Sequence, residues 1–134
     1  MIKQILIQTH KKEELINITD AVSVEIEKFG IESGMCIIFS PHTTCGIIIN
    51  ENADPTVCKD IITGLNQFLP HNSLGEFRHA EGNSPAHIKT SLVGQSQIVF
   101  LENSSMILGT WQGIFLAEFD GPRERKVIIK VIKE

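Results

Sequence analysis

Tyrosine is absent from this chain of 134 residues, so no phenol can serve as an acid or a base. No apolar stretch approaches the ~20 residues that a membrane-spanning helix needs. No basic run is long enough for a nucleic-acid footprint, and 12 basic against 16 acidic residues give a net charge of −4. Cys36, Cys45 and Cys58 form an odd set without a CxxC pair. That argues against a disulfide framework or a zinc knuckle and predicts three reduced, buried thiols. The P-loop, the GxGxxG turn and the nucleophile elbow are also missing, so no nucleotide cofactor is expected. The opening MIKQILIQTHKKEE lacks a signal peptide's apolar core and cleavage site, which makes the cytoplasm the expected compartment. Neither a repeat nor a linker interrupts the chain, and its length suits one domain over residues 1–134.

What is present is enough apolar material for a packed core, with 42% hydrophobic and 21% charged residues. Alternation over Ile2–Thr9 predicts a first strand, and Leu15–Ile18 a second. Thr19 or Asp20 reads as the cap of a helix carrying Val22, Ile26 and Phe29 on one face, with Gly30 as its stop. Met35–Ser40 is a buried strand. Ser40–Pro55, SPHTTCGIIINENADP, places polar groups at both ends of a second apolar strand, Cys45–Asn50. Asp54 and Pro55 then start a helix with Val57, Ile61, Leu65 and Phe68 on one face. From His71 to Asn83 the pattern dissolves into a loop. Ser84 and Pro85 restart a helix that Gly94 closes. Gln97–Leu101 is a strand, and Glu102–Ser105 a hairpin turn. In MILGTWQGIFLAEFDG both strand faces are apolar, so both require cover, and another subunit is a candidate for one of them. Lys126–Ile132 supplies the last strand.

Several residue groups could carry chemistry. His42, His79 and His87 sit at loop or helix starts; together they would suit zinc or another transition metal, whereas separately they are ordinary surface histidines. Asn83 and Ser84 precede exposed helix amides that favour an anion, the plain alternative being that Ser84 caps the helix. Glu118, beside Ile114 and Leu116, must take an arginine or a metal, or be protonated. Arg123 either pairs with Asp120 to fix the Gly121-Pro122 turn or joins Arg125 in gripping phosphate oxygens.

The segments HTTCGIIINENADP, RHAEGNSPAHIKTSLVG and GTWQGIFLAEFDGPRER, in that order, resemble the YjbQ-like family, often labelled secondary thiamine-phosphate synthases. The resemblance spans nearly the whole chain. It implies a compact α+β fold, a β-sandwich of mixed antiparallel sheets with about three helices, assembled as a homotrimer with sheets packed around a threefold axis. It also implies a pocket lined by His42, Thr43, Thr44, Asn50 and Glu51, joined by His79, Asn83, His87, Trp111, Gln112, Glu118 and Arg123. Cys45 stands where the family usually has a small residue, and Phe77 where it often has tyrosine.

The implied activity joins hydroxymethylpyrimidine diphosphate to a thiazole phosphate and releases diphosphate. A phosphorylated small molecule is thus the expected partner, with neither nucleic acid nor membrane. Arg123, Arg125, the start at Ser84 or a bound divalent metal, zinc or magnesium, would receive the leaving group. Trp111 would stack on the cation and Glu118 would orient the pyrimidine. Two other readings use the same pocket. One is a metal-dependent hydrolase with Glu51 or Glu118 as general base. The other is a non-enzymatic trimer that binds a metal or a phosphorylated metabolite.

Overall fold

The computed structural model describes residues 2–69 and 82–134. The loop expected after His71 lies outside these residues up to position 81, and Phe77 and His79 lie outside with it. Strand β1 (Ile2–Gln8) pairs with β8 (Glu124–Lys133), which pairs in turn with β3 (Gly34–Phe39). Strands β5 (Ser96–Glu102) and β6 (Ser105–Met106) complete an antiparallel sheet in the order β1-β8-β3-β5-β6. A smaller antiparallel sheet has β7 (Gln112–Glu118) at its centre, between β2 (Glu14–Asn17) and β4 (Cys45–Glu51).

The alternation of side chains along the strands makes the core. Cys36 and Ile38 of β3, Val99 and Leu101 of β5, and Val127, Ile129 and Val131 of β8 all point inward. They meet Ile47, Ile114 and Leu116 of the smaller sheet. Helix α1 (Thr19–Phe29) inserts Val22 and Ile26 into the same core and ends at Gly30 with φ 63°. Neither Thr19 nor Asp20 caps this helix. Asn17 Oδ1 accepts from the amide and the hydroxyl of Thr19 instead, because the turn out of β2 brings that carboxamide under the first helical residue. Asp54 does cap α2 (Pro55–Phe68), through the Thr56 amide. Helix α3 runs from Ser84 to Val93 and closes at Gly94.

The far face of the smaller sheet is covered within the chain. Ala117 and Phe119 are buried with Ala86 of α3, and Ile62, Leu65 and Val93 pack against them. A Cβ on Gly46 would stand 2.5 Å from the Gly94 carbonyl, so glycine is what lets the end of α3 lie on β4. Another subunit, the candidate cover for one face of β7, is therefore not needed there. Its Ile114–Leu116 face meets the larger sheet and α1, and its Phe115–Ala117 face meets α2 and α3. The apolar face left open belongs to the larger sheet: Ile2, Leu6, Ile98 and Phe100 are 55 to 62% exposed on its outer side. Among the described residues no helix is long and apolar enough to cross a membrane.

Candidate functional site

Strands β4 and β7 run antiparallel, with Cys45 opposite Glu118 and Glu51 opposite Gln112. The two pairs are six residues apart along each strand, roughly 20 Å at strand rise. One polar cluster of Ser40–Pro55 thus sits at each end of the smaller sheet. His42, Thr43, Thr44, Glu118 and the 120–125 turn share one end; Asn50, Glu51, Trp111 and Gln112 share the other. The single pocket expected from the resemblance is not formed within one chain.

At the Glu118 end an ion pair bridges the two sheets. Glu118, fully buried at the end of β7, faces Arg125 on β8, which is 2% exposed. Arg125 Nε donates to Glu118 Oε1 at 2.8 Å and its Nη2 to Oε2. The Thr44 hydroxyl accepts from Nη2 at 2.9 Å. Thr9 donates to Glu118 Oε1 at 2.7 Å, and the Asp120 amide donates to Oε2 at 3.1 Å. Of the three outcomes open to Glu118 in the sequence, an arginine, a metal or protonation, the structure has the arginine, Arg125. Its guanidinium is thereby spent inside the fold, and gripping a phosphate, the role expected of Arg125, is corrected to holding the site's floor. Thr44 is committed to the same pair.

Above this floor lies a second carboxylate, Asp120. Its Oδ1 accepts from Lys12 Nζ at 2.5 Å, and its Oδ2 accepts from Asn83 Nδ2 at 2.8 Å and Arg123 Nη2 at 3.0 Å. Arg123 Nε also donates to the Asp120 carbonyl at 2.9 Å, so the ion pair that fixes the turn is formed. Burial by itself would raise the Asp120 pKa. The hydrogen bonds from Lys12 and Asn83, with the charges of Lys12 and Arg123, outweigh it and hold the carboxyl below 3.8. The Lys12 and Arg123 side chains are 53% and 51% exposed. Asn83 spends its amide on Asp120, so no side chain caps α3, and Ser84 is simply its first residue. Asn83 Oδ1 is buried with no partner among the described residues.

Strand β3 stops pairing with β8 at Phe39 and Ile128. His42 extends that edge, its Nε2 accepting from the Lys126 amide at 2.8 Å. Ser40 Oγ, donating to the Cys45 carbonyl at 2.7 Å, braces the turn that carries it. The Nε2 bond places the proton of the neutral ring on Nδ1. Burial first, and the Arg125 charge next, lower the His42 pKa from 6.5 against the opposing pull of Glu118. Cys45 beneath it is pushed up to about 12, mainly by burial.

The expected three-histidine metal site reaches beyond the described residues. His42 Nε2 is already an acceptor for backbone, His79 lies outside the described residues, and His87 is half-buried on α3. Among the described residues, no three His, Cys, Asp or Glu stand together as a metal would require. At the opposite end Asn50 Oδ1 accepts from the Glu51 amide and Gln112 Oε1 from the Gly109 amide, while Trp111 is 62% exposed. Two partners of Asp120 escaped sequence reasoning. Asn83 donates to it from the start of α3, and Lys12 joins it from a loop that shows no pattern.

Residues 3–134 match the family model described as UPF0047 protein YjbQ-like. A UPF0047 protein of Methanocaldococcus jannaschii is 52% identical over 94% of this chain and 90% of its own length. The UPF0047 protein YugU of Bacillus subtilis is 49% identical over 98% and 99%. Among solved structures, a YjbQ/UPF0047 family protein of Clostridium acetobutylicum superposes with a TM-score of 0.93 at 48% identity, over 97% of this chain and 99% of that one. One from Sulfolobus solfataricus, described as of unknown function, gives 0.94 at 32% identity over 100% and 97%. These relatives are named only as UPF0047 or as uncharacterised, and none is named for making thiamine phosphate. The expected thiamine-phosphate synthase activity is corrected accordingly; the burial of Arg125 also removes one of the two arginines assigned to its leaving group. By the match along its length and the fold it shares, this chain belongs to the YjbQ-like UPF0047 family.

Proposed function

We propose that the Glu118 end of the sandwich binds a small phosphorylated molecule, with His42 handling a proton beside it. The observation that carries this reading is the way Asp120 holds two half-exposed cations. Of the five N–H donors of a guanidinium, Arg123 spends two on Asp120, and Lys12 spends one of its three. The remaining donors are oriented and open to solvent, next to the uncapped start of α3. Lys12, Arg123 and Arg125 against Glu118 and Asp120 leave one net positive charge with His42 neutral. A tetrahedral oxyanion suits that arrangement.

Titration calorimetry with inorganic pyrophosphate tests it. Arg123→Ala and Lys12→Ala should each weaken binding about tenfold, near 1.4 kcal/mol. Sulfate, whose charge is constant in this range, adds a pH test. Because the His42 pKa is lowered, the ring is neutral at pH 7 and gains charge only below 6.5. Sulfate affinity should rise as pH falls through that lowered value and stay flat in His42→Gln. No heat with either anion would sink the reading.

The open outer face of the larger sheet supports assembly through that surface, and we take the homotrimer as the form it serves. Phe100→Asp, which puts a carboxylate into that face, should shift the mass in light scattering from three chains to one. A wild-type protein that is monomeric at working concentration contradicts the assembly. A cytoplasmic setting fits three thiols that form no disulfide.

A further inference from the structure

A cleft of about 540 Å³ opens between α2 and the smaller sheet, on the face of that sheet opposite the Glu118 side chain. We propose that it is a second binding site, for an organic anion with a flat aromatic body and a single carboxylate. Its volume lies within the roughly 300–1,000 Å³ of small-molecule sites. Pro55, Cys58, Lys59, Ile62 and Thr63 recur at helical spacing and bring one stripe of α2 to the cleft. Leu15 and Phe115 form the opposite wall. Ile62, Leu15 and Phe115 offer apolar surface to a ring.

The polar groups are arranged for one negative charge. Lys11 and Lys59 line the cleft, and neither has an ion-pair partner among the described residues. The carboxylates nearby are already engaged. Glu14 Oε2 accepts from the amides of His10 and Lys11 at 2.7 and 2.8 Å. Glu13, its side chain 9% exposed, is neutralised by Lys89, which is fully buried on α3 and also donates to Asn66. That buried pair fixes the inner end of the cleft. Asn17 spends its oxygen on Thr19, which turns its two N–H donors to other acceptors. Asn52 sits directly on β7, since a Cβ on Gly113 would come within 2.5 Å of its amide nitrogen.

The loop before β2 separates this cleft from the anion site proposed above. Lys12 turns to Asp120, whereas its neighbours Lys11 and Glu13 line the cleft. The two sites therefore share no cation, and one can be disabled without the other.

The test uses 2-naphthoate as probe, with calorimetry on the full chain. Wild type should bind it with Kd below ~1 mM, and 2-naphthalenemethanol, of the same shape without charge, about tenfold more weakly. Lys59→Glu and Thr63→Trp alter exposed positions, one reversing the charge and the other filling the space; each should weaken naphthoate about tenfold. Pyrophosphate affinity and the thermal midpoint should stay as in wild type. Cys58 supplies a readout inside the cleft, its maleimide modification slowing about tenfold at saturating naphthoate. Absence of naphthoate binding in wild type overturns the proposal. So does binding that is equally tight in both variants, which would mark adsorption elsewhere on the surface.

Discussion

Replacing Arg125 with alanine should lower the unfolding free energy by about 3–5 kcal/mol, the usual cost of stripping one partner from a buried ion pair. Glu118, without solvent contact, would keep only the Thr9 hydroxyl and the Asp120 amide as donors. Neither supplies the charge that repays desolvation of a carboxylate. Thr44 would lose its partner as well, and the turn that carries His42 would lose a brace. Since the pair joins β7 of one sheet to β8 of the other, both sheets feel the loss. In a chain of this size the melting midpoint should fall roughly 10–20 °C. The companion double change, Glu118→Leu with Arg125→Met, removes both charges and should cost less than Arg125→Ala alone. Thermal or urea unfolding of the three proteins decides it. A loss in Arg125→Ala below ~1 kcal/mol would mean that water reaches Glu118.

Lys89→Ala is expected to be nearly as damaging, about 3–5 kcal/mol, but by a different route. Lys89 ties three segments together: α3 that bears it, Glu13 ahead of β2, and Asn66 on α2. No residue of α2 is fully buried, so apolar packing alone holds this helix weakly. Asn66 also donates to Glu13 at 2.7 Å, completing a triangle that closes over nothing once the ammonium is gone. Loss of the clamp should therefore release α2 before the sandwich opens. Native-state hydrogen exchange should show α2 amides in Lys89→Ala exchanging by local opening, while β7 amides still require global unfolding. Equal protection of α2 and β7 in the variant would contradict the clamp.

Much of the fold was legible because apolar residues recur with a strict period. Val22 and Ile26 on α1, the Asp54-Pro55 start of α2 and the alternation through β7 each follow from local patterns. The site was only partly legible, because its partners are far apart in the chain. Glu118 announced a need for a counter-charge among Ile114 and Leu116, and the 120–125 turn held the candidates. Lys12, 108 residues from Asp120, has no local signature that couples the two. Within one chain the two polar ends of Ser40–Pro55 do not pool into one hollow, since a seven-residue strand keeps its ends apart. The apolar character of β7 was read correctly, but its second cover came from α2 and α3 rather than from a neighbour.

One feature of the larger sheet bears on how the protein is made. Of the eight strands among the described residues, β8 is furthest along the chain, yet it sits between β1 and β3, and β1 pairs with no other of these strands. A ribosome that has released residues 2–123 has produced two fragments of one sheet with no strand to join them. Their edges, and the isoleucines and phenylalanines behind them, remain available to other nascent chains until β8 has been made. Escape from aggregation is thus tied to the synthesis of β8, and a message stalled before it would leave a product that chaperones must hold rather than one that folds early.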